Sequence, residues 1–490
     1  MASVWDGGGI LPNSTVHMCA TVTPCGVKTV SPMAQGTGSP HSADTHEDFA
    51  RQVGAFGHML SMAQWLSPQE LEASQAQLTF KLLQHARRTT PFYRDRLDMD
   101  IGSPAKIKER WRDIPILTRS QAMQNRLKLI SRKPPRDMGP VSEGKTSGST
   151  GLPFVFKKNG AMDIVSTALT ERMFAWWSMD GRKSLAQISS DGTGSRDGRI
   201  TYGWHSRHGD GIKYFMGTYG DTELYLQWLT GCRPHYLGTY PAILKELARM
   251  VLDRGSDLRF ERLFSFAAVL DQETRDLCRS AFGAEIADTY GTQEVGHIAA
   301  QCAQCGNYHT SAEAVIVEVL RDDGTPAAPG ETGRVVVTPL YGYAMPLIRY
   351  ALDDMAEVAP APNSCGRAHP TLRRILGRSR NLFRFRDGQS IWPVASSFRL
   401  SQFLPLAQFQ VVQLDFDRIE VRYVPDTSDR QPDVEGLTQR MRAVLRQEVD
   451  VTLRRVERVE RTANGKLEEC LSLIPVPEGN PVGDRPSGSC

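Results

Sequence analysis

The chain has 490 residues, 40% of them hydrophobic, and a formal charge of +3. That length exceeds the ~250–300 residues over which a single core usually grows, so more than one domain is expected. A nearly balanced charge with no basic stripe argues against nucleic acid as the main partner.

Residues 1–45 are rich in Gly, Ser, Thr and Pro. They lack the basic start and apolar core of a signal peptide and the arginines of a mitochondrial presequence, and they read as a disordered tail. Helical periodicity begins near Glu47 and is clear over 68–89, where Leu71, Leu78, Leu82 and Leu83 share one face. Pro91-Phe92-Tyr93 ends it, because proline disfavours helical geometry in the residue before it. Over 141–358 helical segments alternate with short apolar strands, expected at 263–269, 315–320 and 334–338; this is α/β layering.

After Gly377 the texture changes. Residues 409–414 and 418–424 read as two strands around the turn Asp415-Phe416-Asp417. Val434, Leu437, Met441, Val444 and Leu445 mark one face of a helix, and 451–459 reads as another strand. The last stretch, 475–490, is a Pro/Gly/Ser tail expected to be disordered. No apolar run approaches the roughly 18–20 residues of a membrane-spanning helix. Nine scattered cysteines, an odd number, argue against a disulfide framework and for a reducing cytoplasm.

Two phosphate loops overlap in one stretch. Gly139-Pro140-Val141-Ser142-Glu143-Gly144-Lys145-Thr146 satisfies the Walker pattern G-x-x-x-x-G-K-S/T. A Walker loop must follow a buried strand and open a helix. Here Ser131-Arg132-Lys133-Pro134-Pro135-Arg136-Asp137 precedes it, unlike a central strand, and Gly148, Gly151 and Pro153 would break the helix. The competing segment is Thr146-Ser147-Gly148-Ser149-Thr150-Gly151-Leu152-Pro153. Its hydroxyls and glycines can wrap donors around a polyphosphate; a plain Ser/Gly linker is the alternative.

That second loop resembles the phosphate loop of adenylate-forming enzymes, the superfamily of acyl-CoA synthetases, peptide-synthetase adenylation domains and luciferases. Further segments resemble the family's in the right order. They are Pro234-His235-Tyr236-Leu237-Gly238-Thr239-Tyr240-Pro241 (acid pocket), Asp288-Thr289-Tyr290-Gly291-Thr292-Gln293-Glu294 (adenine and magnesium), Met345-Pro346-Leu347-Ile348-Arg349-Tyr350 with Asp354 (ribose), and Gly377-Arg378-Ser379 (hinge). Within the superfamily the chain is most similar to phenylacetate–coenzyme A ligases and capsule-biosynthesis-type relatives. Pro91-Phe92-Tyr93-Arg94, Ile114-Pro115-Ile116-Leu117-Thr118, Cys365-Gly366-Arg367 and His369-Pro370 carry that closer likeness.

The resemblance implies an α/β fold with a large multi-layer N-terminal domain, 46–377, and a small mobile α+β C-terminal domain, 378–474. It implies an AMP-forming acid–thiol ligase that uses ATP, Mg²⁺ and coenzyme A. Thr146, Ser147, Gly148, Ser149, Thr150 and Gly151 would grip the β- and γ-phosphates, although Leu152 stands where the family often has lysine. Tyr290, with Gly291 and Thr292, would meet adenine, and Glu294 would hold Mg²⁺. Asp354 would accept both ribose hydroxyls, with neighbouring Asp353 the alternative, and Arg378 would contact ribose or phosphate. Lys466, in Arg461-Thr462-Ala463-Asn464-Gly465-Lys466, matches the mobile lysine that bridges carboxylate and α-phosphate.

Cys302-x-x-Cys305-x-x-x-His309 with Cys365 suits tetrahedral zinc. In relatives a second cysteine stands where this chain has Asn363, and Cys305 is placed to replace it; His369 is another candidate ligand, and reduced structural cysteines are the alternative. Arg380 stands where relatives carry aspartate or lysine. Asp387 separates Arg386 from Gly388, where thioester-forming relatives have an Arg-Gly pair. The acceptor is therefore coenzyme A or else an amine, a hydroxyl or a carrier-protein thiol. The partners expected are a small carboxylic acid and this acceptor, no nucleic acid and no membrane, with a homodimer left open. Trp176, Trp177, Tyr236 and Tyr240 hint at an aromatic or apolar acid, helix packing being the other explanation for the tryptophans. A P-loop NTPase and a non-catalytic, zinc-stabilised relative are the competing classes.

Overall fold

Alternating helices and apolar strands build a thirteen-stranded sheet. The structure is a computed structural model, and it describes residues 28–29, 41–146, 153–190, 198–218, 220–360, 363–378, 381–391, 393, 395–426, 428–460 and 469–474. Strands Ile212–Met216, Leu185–Ile188, Tyr236–Thr239, Arg262–Ser265 and Ile286–Thr292 run parallel side by side. Helices Thr222–Cys232, Pro241–Arg254 and Gln272–Phe282 lie between these strands in sequence, as parallel pairing requires. Ile286–Thr292 then turns back into Gly296–Gln301, and from there the sheet runs antiparallel through Tyr308–Thr310, Thr371–Arg378, Tyr350–Val358 and Thr332–Pro339 to the edge strand Val315–Leu320. A separate four-stranded sheet, Asp450–Arg455, Arg418–Val424, Gln408–Asp415 and Cys470–Ser472, packs on helix Val434–Leu445 around its own core of Phe383, Phe398, Val411, Val421, Leu437 and Met441.

Local signals set these elements. Helix Pro68–Thr89 opens on a capping box of Ser67 and Glu70, which satisfies two orphan N-terminal donors. Leu71, Leu82 and Leu83 are buried and Leu78 packs against the same core. Strands Val315–Leu320 and Arg418–Val424 have the expected bounds. Other bounds differ. Helix His41–Ala63 starts inside the stretch read as a tail. The strand expected at 263–269 is Arg262–Ser265; the chain has left the sheet by Val269, which is exposed. The strand expected at 451–459 is Asp450–Arg455, because pairing with Arg418–Val424 ends at Arg455.

The Walker pattern is not a loop. Val141–Lys145 is a strand paired antiparallel with Val155–Asn159. A Cβ on Gly144 would lie 2.3 Å from the Phe156 ring, so glycine is there for close packing. Thr146 extends the same pairing, its N–H donating to Phe154 O at 2.9 Å, so the pattern's lysine and threonine lie along a strand edge. The P-loop reading therefore fails on geometry.

Two anchors tie the N-terminal helices to the sheet. The Tyr93 hydroxyl donates to Pro346 O and accepts from Ile348 N–H, both at 3.0 Å. The Arg349 guanidinium pairs with Glu318 at 2.9 and 3.1 Å and donates to the carbonyls of Arg112 and Ile114 at 3.1 and 2.7 Å. Leu117 bridges to the same stretch, its N–H donating to Arg349 O and its carbonyl accepting from Ala351 N–H. At the sheet edge, the Gln75 side chain donates to Ala312 O and Val315 O, and Ala327 N–H donates to Val319 O. Elsewhere, buried Lys245 of helix Pro241–Arg254 lies 3.0 Å from Glu273, 3.5 Å from Asp271 and 3.5 Å from Glu469, next to the C-terminal sheet.

Glu318→Ala leaves the Arg349 guanidinium, 4% exposed, without its counter-ion. A loss of about 3–5 kcal/mol follows, read as a lower urea midpoint with an unchanged slope.

Candidate active site

The turn between Ile286–Thr292 and Gly296–Gln301 and the strand Tyr350–Val358 bring the expected nucleotide residues together. The Tyr290 hydroxyl donates to Asp354 Oδ2 at 2.8 Å. Asp354 lies opposite Arg378 across the antiparallel ladder. Burial pushes the Asp354 carboxyl above the usual range, while the Arg378 charge and the Tyr290 hydrogen bond pull it down. Asp353 has φ +61° and is exposed; of the two neighbouring carboxylates, Asp354 is the one held by Tyr290.

Glu294 is buried. Gly291 sits where a Cβ would meet Gly296 O at 2.6 Å, which explains a glycine at that turn. Thr292 Oγ1 is buried without a hydrogen-bond partner among the described residues. Such an orphaned hydroxyl beside a buried carboxylate suits a polar ligand that completes the site. Asp288, quoted in the same motif, is structural. It accepts from the Ser265 hydroxyl and from the Tyr308 hydroxyl, the latter at 2.5 Å, and burial pushes its carboxyl up.

Of Thr146–Gly151, Thr146 alone lies within the described residues. Its hydroxyl accepts from Phe154 N–H at 2.9 Å and from Arg119 Nη2 at 2.9 Å. Ser147, Gly148, Ser149, Thr150, Gly151 and Lys466 lie outside the described residues. Arg119 was not singled out by motif. Its Nη1 lies 3.7 Å from Glu294 Oε1, so it links Thr146 to the expected magnesium ligand. Thr118, which caps the short helix Arg119–Gln124, is the last residue of a quoted motif, and that is the only sequence signal that points near Arg119.

A second cluster gathers at the turn between Gly296–Gln301 and Tyr308–Thr310, with His309 on the latter strand and Cys365 on a separate turn. The donor atoms of Cys302, Cys305, His309 and Cys365 all lie within 4.8 Å of one another. Cys305 and Cys365 Sγ are 3.4 and 3.2 Å from His309 Nε2. Three thiols and an imidazole so close fit a tetrahedral ion with bonds of about 2.0–2.3 Å. Burial pushes the His309 pKa down to about 3, which keeps the imidazole in its ligating form. His369 does not join; its Nε2 is 2.7 Å from Glu313, which also pairs with Arg172. Asn363 ties the loop instead, donating to His369 O at 3.2 Å and accepting from the Thr371 hydroxyl at 3.1 Å. Trp176 belongs to this corner: Arg172 and Arg367 lie over its ring at 5.0 and 4.6 Å. Trp177 donates to Gln301 O at 2.9 Å. Both tryptophans are packing residues. Tyr236 and Tyr240 are buried; their hydroxyls accept from the N–H groups of Asp180 and Ser190.

No family model matches the chain. A phenylacetate–coenzyme A ligase of Thermus thermophilus is 25% identical over 341 residues, 67% of this chain and 74% of that protein. The ligase of the same description from Escherichia coli is 25% identical over 342 residues, 67% and 75%. The CapK protein of Staphylococcus aureus is 24% identical over 207 residues, 41% and 44%. Among solved structures, a 2-hydroxyisobutyryl-CoA ligase in the postadenylation state with its acyl-AMP superposes with a TM-score of 0.67 at 17% identity, covering 84% of this chain and 91% of that one. The chain thus has the adenylate-forming ligase fold and is similar in sequence to phenylacetate–coenzyme A ligases. No helix among the described residues is long and apolar enough to cross a membrane.

His297, in the strand after Glu294, accompanies Ser311 at 3.0 Å. Burial pushes its pKa down to about 3. Below pH ~6.5 the unfolded chain takes a proton there that the folded one refuses, so stability falls as pH drops through that window. His297→Gln should lose less than wild type between about pH 7 and about pH 5, read as the change in urea midpoint.

Proposed function

We propose that the chain activates a carboxylic acid with ATP as an acyl-adenylate and passes the acyl group to coenzyme A. The Tyr290–Asp354 pair, set at 2.8 Å beside Arg378 and Glu294, carries this reading. An aromatic face next to a carboxylate suits a nucleoside: the ring stacks on the base and the carboxylate accepts from ribose hydroxyls. The names of the curated relatives and the likeness to an acyl-AMP complex support the same chemistry.

In the first step the substrate carboxylate oxygen attacks the α-phosphorus, and the bond to the β-phosphate breaks, its electron pair leaving on pyrophosphate. In the second the acceptor sulfur attacks the acyl carbon, AMP leaves, and the thiol proton passes to solvent. The protein's part is positioning and charge. Glu294 would hold Mg²⁺, which when bound neutralises charge on the phosphates. The Thr146–Gly151 loop would hold the leaving pyrophosphate, and Lys466 would bridge carboxylate and α-phosphate. A division into 46–377 and a mobile 378–474 would let the second unit carry Lys466 in and out. The nine scattered cysteines, an odd number, place the reaction in a reducing cytoplasm.

Acid-dependent exchange of labelled pyrophosphate into ATP tests the reading, with phenylacetate first in a panel of acids. Lys466→Ala should abolish exchange and spare the reaction of a supplied acyl-adenylate with coenzyme A. An equal loss in both half-reactions would remove that role, and no exchange with any acid would remove the function.

Cys302, Cys305, His309 and Cys365 would hold a structural zinc, with the Arg367 guanidinium 3.4 Å from Cys302 Sγ offsetting the thiolate charge. About one zinc per chain should co-purify, and Cys302→Ser should lower the melting temperature before it alters turnover. Metal-free protein purified without chelator would sink this assignment.

A further inference from the structure

We propose that Arg119 is a further catalytic residue of adenylation, its guanidinium binding the β- and γ-phosphates of ATP and the departing pyrophosphate. The inference rests on the adenylation reading above.

Placement comes first. Arg119 Nη2 donates to Oγ1 of Thr146 at 2.9 Å, the first residue of the segment read as a phosphate loop, while Nη1 stands 3.7 Å from Glu294 Oε1. The guanidinium therefore sits between the two groups assigned to the polyphosphate and to its metal. Charge comes second. Residues 146–153 contain no cation, and Lys145 is exposed on its hairpin strand. A polyphosphate bound by hydroxyls and backbone alone would keep most of its charge unopposed, and arginine matches phosphate oxygens in pairs.

Availability is the third observation. The Arg119 side chain is only 20% exposed, yet Glu294 lies beyond hydrogen-bond distance. Thr146 takes one of its five N–H donors, and the Tyr350 hydroxyl is its other neighbour. A cation so far desolvated, with no tight carboxylate partner among the described residues, is poised for an anionic ligand. The fourth is rigidity. The guanidinium lies over the Phe154 ring at 5.9 Å, and the backbone before it is pinned by the Leu117 hydrogen bonds to Arg349 and Ala351. A donor held in place before the charge develops needs no reorganisation during the step.

The test uses full-length Arg119→Gln and Arg119→Lys. Three quantities are measured: the KM for ATP in acid-dependent exchange, the Kd for magnesium pyrophosphate by calorimetry, and the rate of coenzyme A acylation from supplied acyl-adenylate. Arg119→Gln should weaken ATP and pyrophosphate by about tenfold or more, as loss of a charge-assisted contact implies. Arg119→Lys should recover part of this, and acylation from the adenylate should stay within about twofold of wild type. Values for ATP and pyrophosphate within about twofold of wild type, or an equal fall in both half-reactions, would overturn the proposal. Wild-type protein that exchanges with no acid would defeat the adenylation reading instead, while calorimetry with pyrophosphate would still decide whether Arg119 binds the anion.

Discussion

The buried guanidinium of Arg349 is the joint on which the site's geometry depends. It pairs with Glu318 on the edge strand and holds the carbonyls of Arg112 and Ile114. Three parts of the chain, roughly 110–119, 315–320 and 349–354, are thereby fixed to one another. Buried charges are costly unless fully satisfied, and here the guanidinium meets a carboxylate and two carbonyls. The backbone of Arg349 has φ +49°, a conformation unfavourable for a residue with a Cβ; the side-chain bonds hold it there. Arg119 follows this pinned segment, and Asp354 follows Arg349 on the strand Tyr350–Val358. One ion pair thus sets the distance between the cation at Thr146 and the carboxylate at Tyr290.

Elements with a strong local signal were legible from sequence. The 68–89 helix has its cap and its apolar face, and Val315–Leu320 is a run of β-branched residues. The strand after Arg262 was read too long because residues 266–269 are apolar enough to continue it, and only pairing partners show where the sheet stops. The site was legible where motif spacing fixes position, as at Tyr290, Glu294 and Asp354. That Tyr290 and Asp354 bond each other is a fact of pairing 64 residues apart. Arg119 was invisible because a single arginine after a capping threonine looks like many surface arginines. The Walker pattern illustrates the reverse case, since its Gly144 and Lys145 lie in a strand paired antiparallel with Val155–Asn159.

The cysteine corner and the corner that holds Tyr290 and Glu294 share a framework. Gly296–Gln301 runs from the turn that holds Glu294 to Cys302, and Tyr308–Thr310 carries His309 back beside it. Arg172, Glu313 and His369 form a buried polar chain behind the thiols, and Trp176 roofs it between two guanidiniums. Asn363 supplies hydrogen bonds to its loop, while Cys305 brings a thiol to the cluster from a different turn.

The edge strand Val315–Leu320 has the composition of a segment prone to aggregate, apolar and β-branched with one carboxylate. That carboxylate, Glu318, is already engaged by Arg349. Gln75 covers the carbonyl of Val315 and Ala327 covers that of Val319, so both ends of the outward backbone are occupied by the chain's own groups. What lies between is centred on Val317, too short a run for another strand to add by consecutive pairs. The sheet is thereby closed to growth from this side, and the long helix that packs beneath it doubles, through one glutamine, as a guard against intermolecular β-pairing.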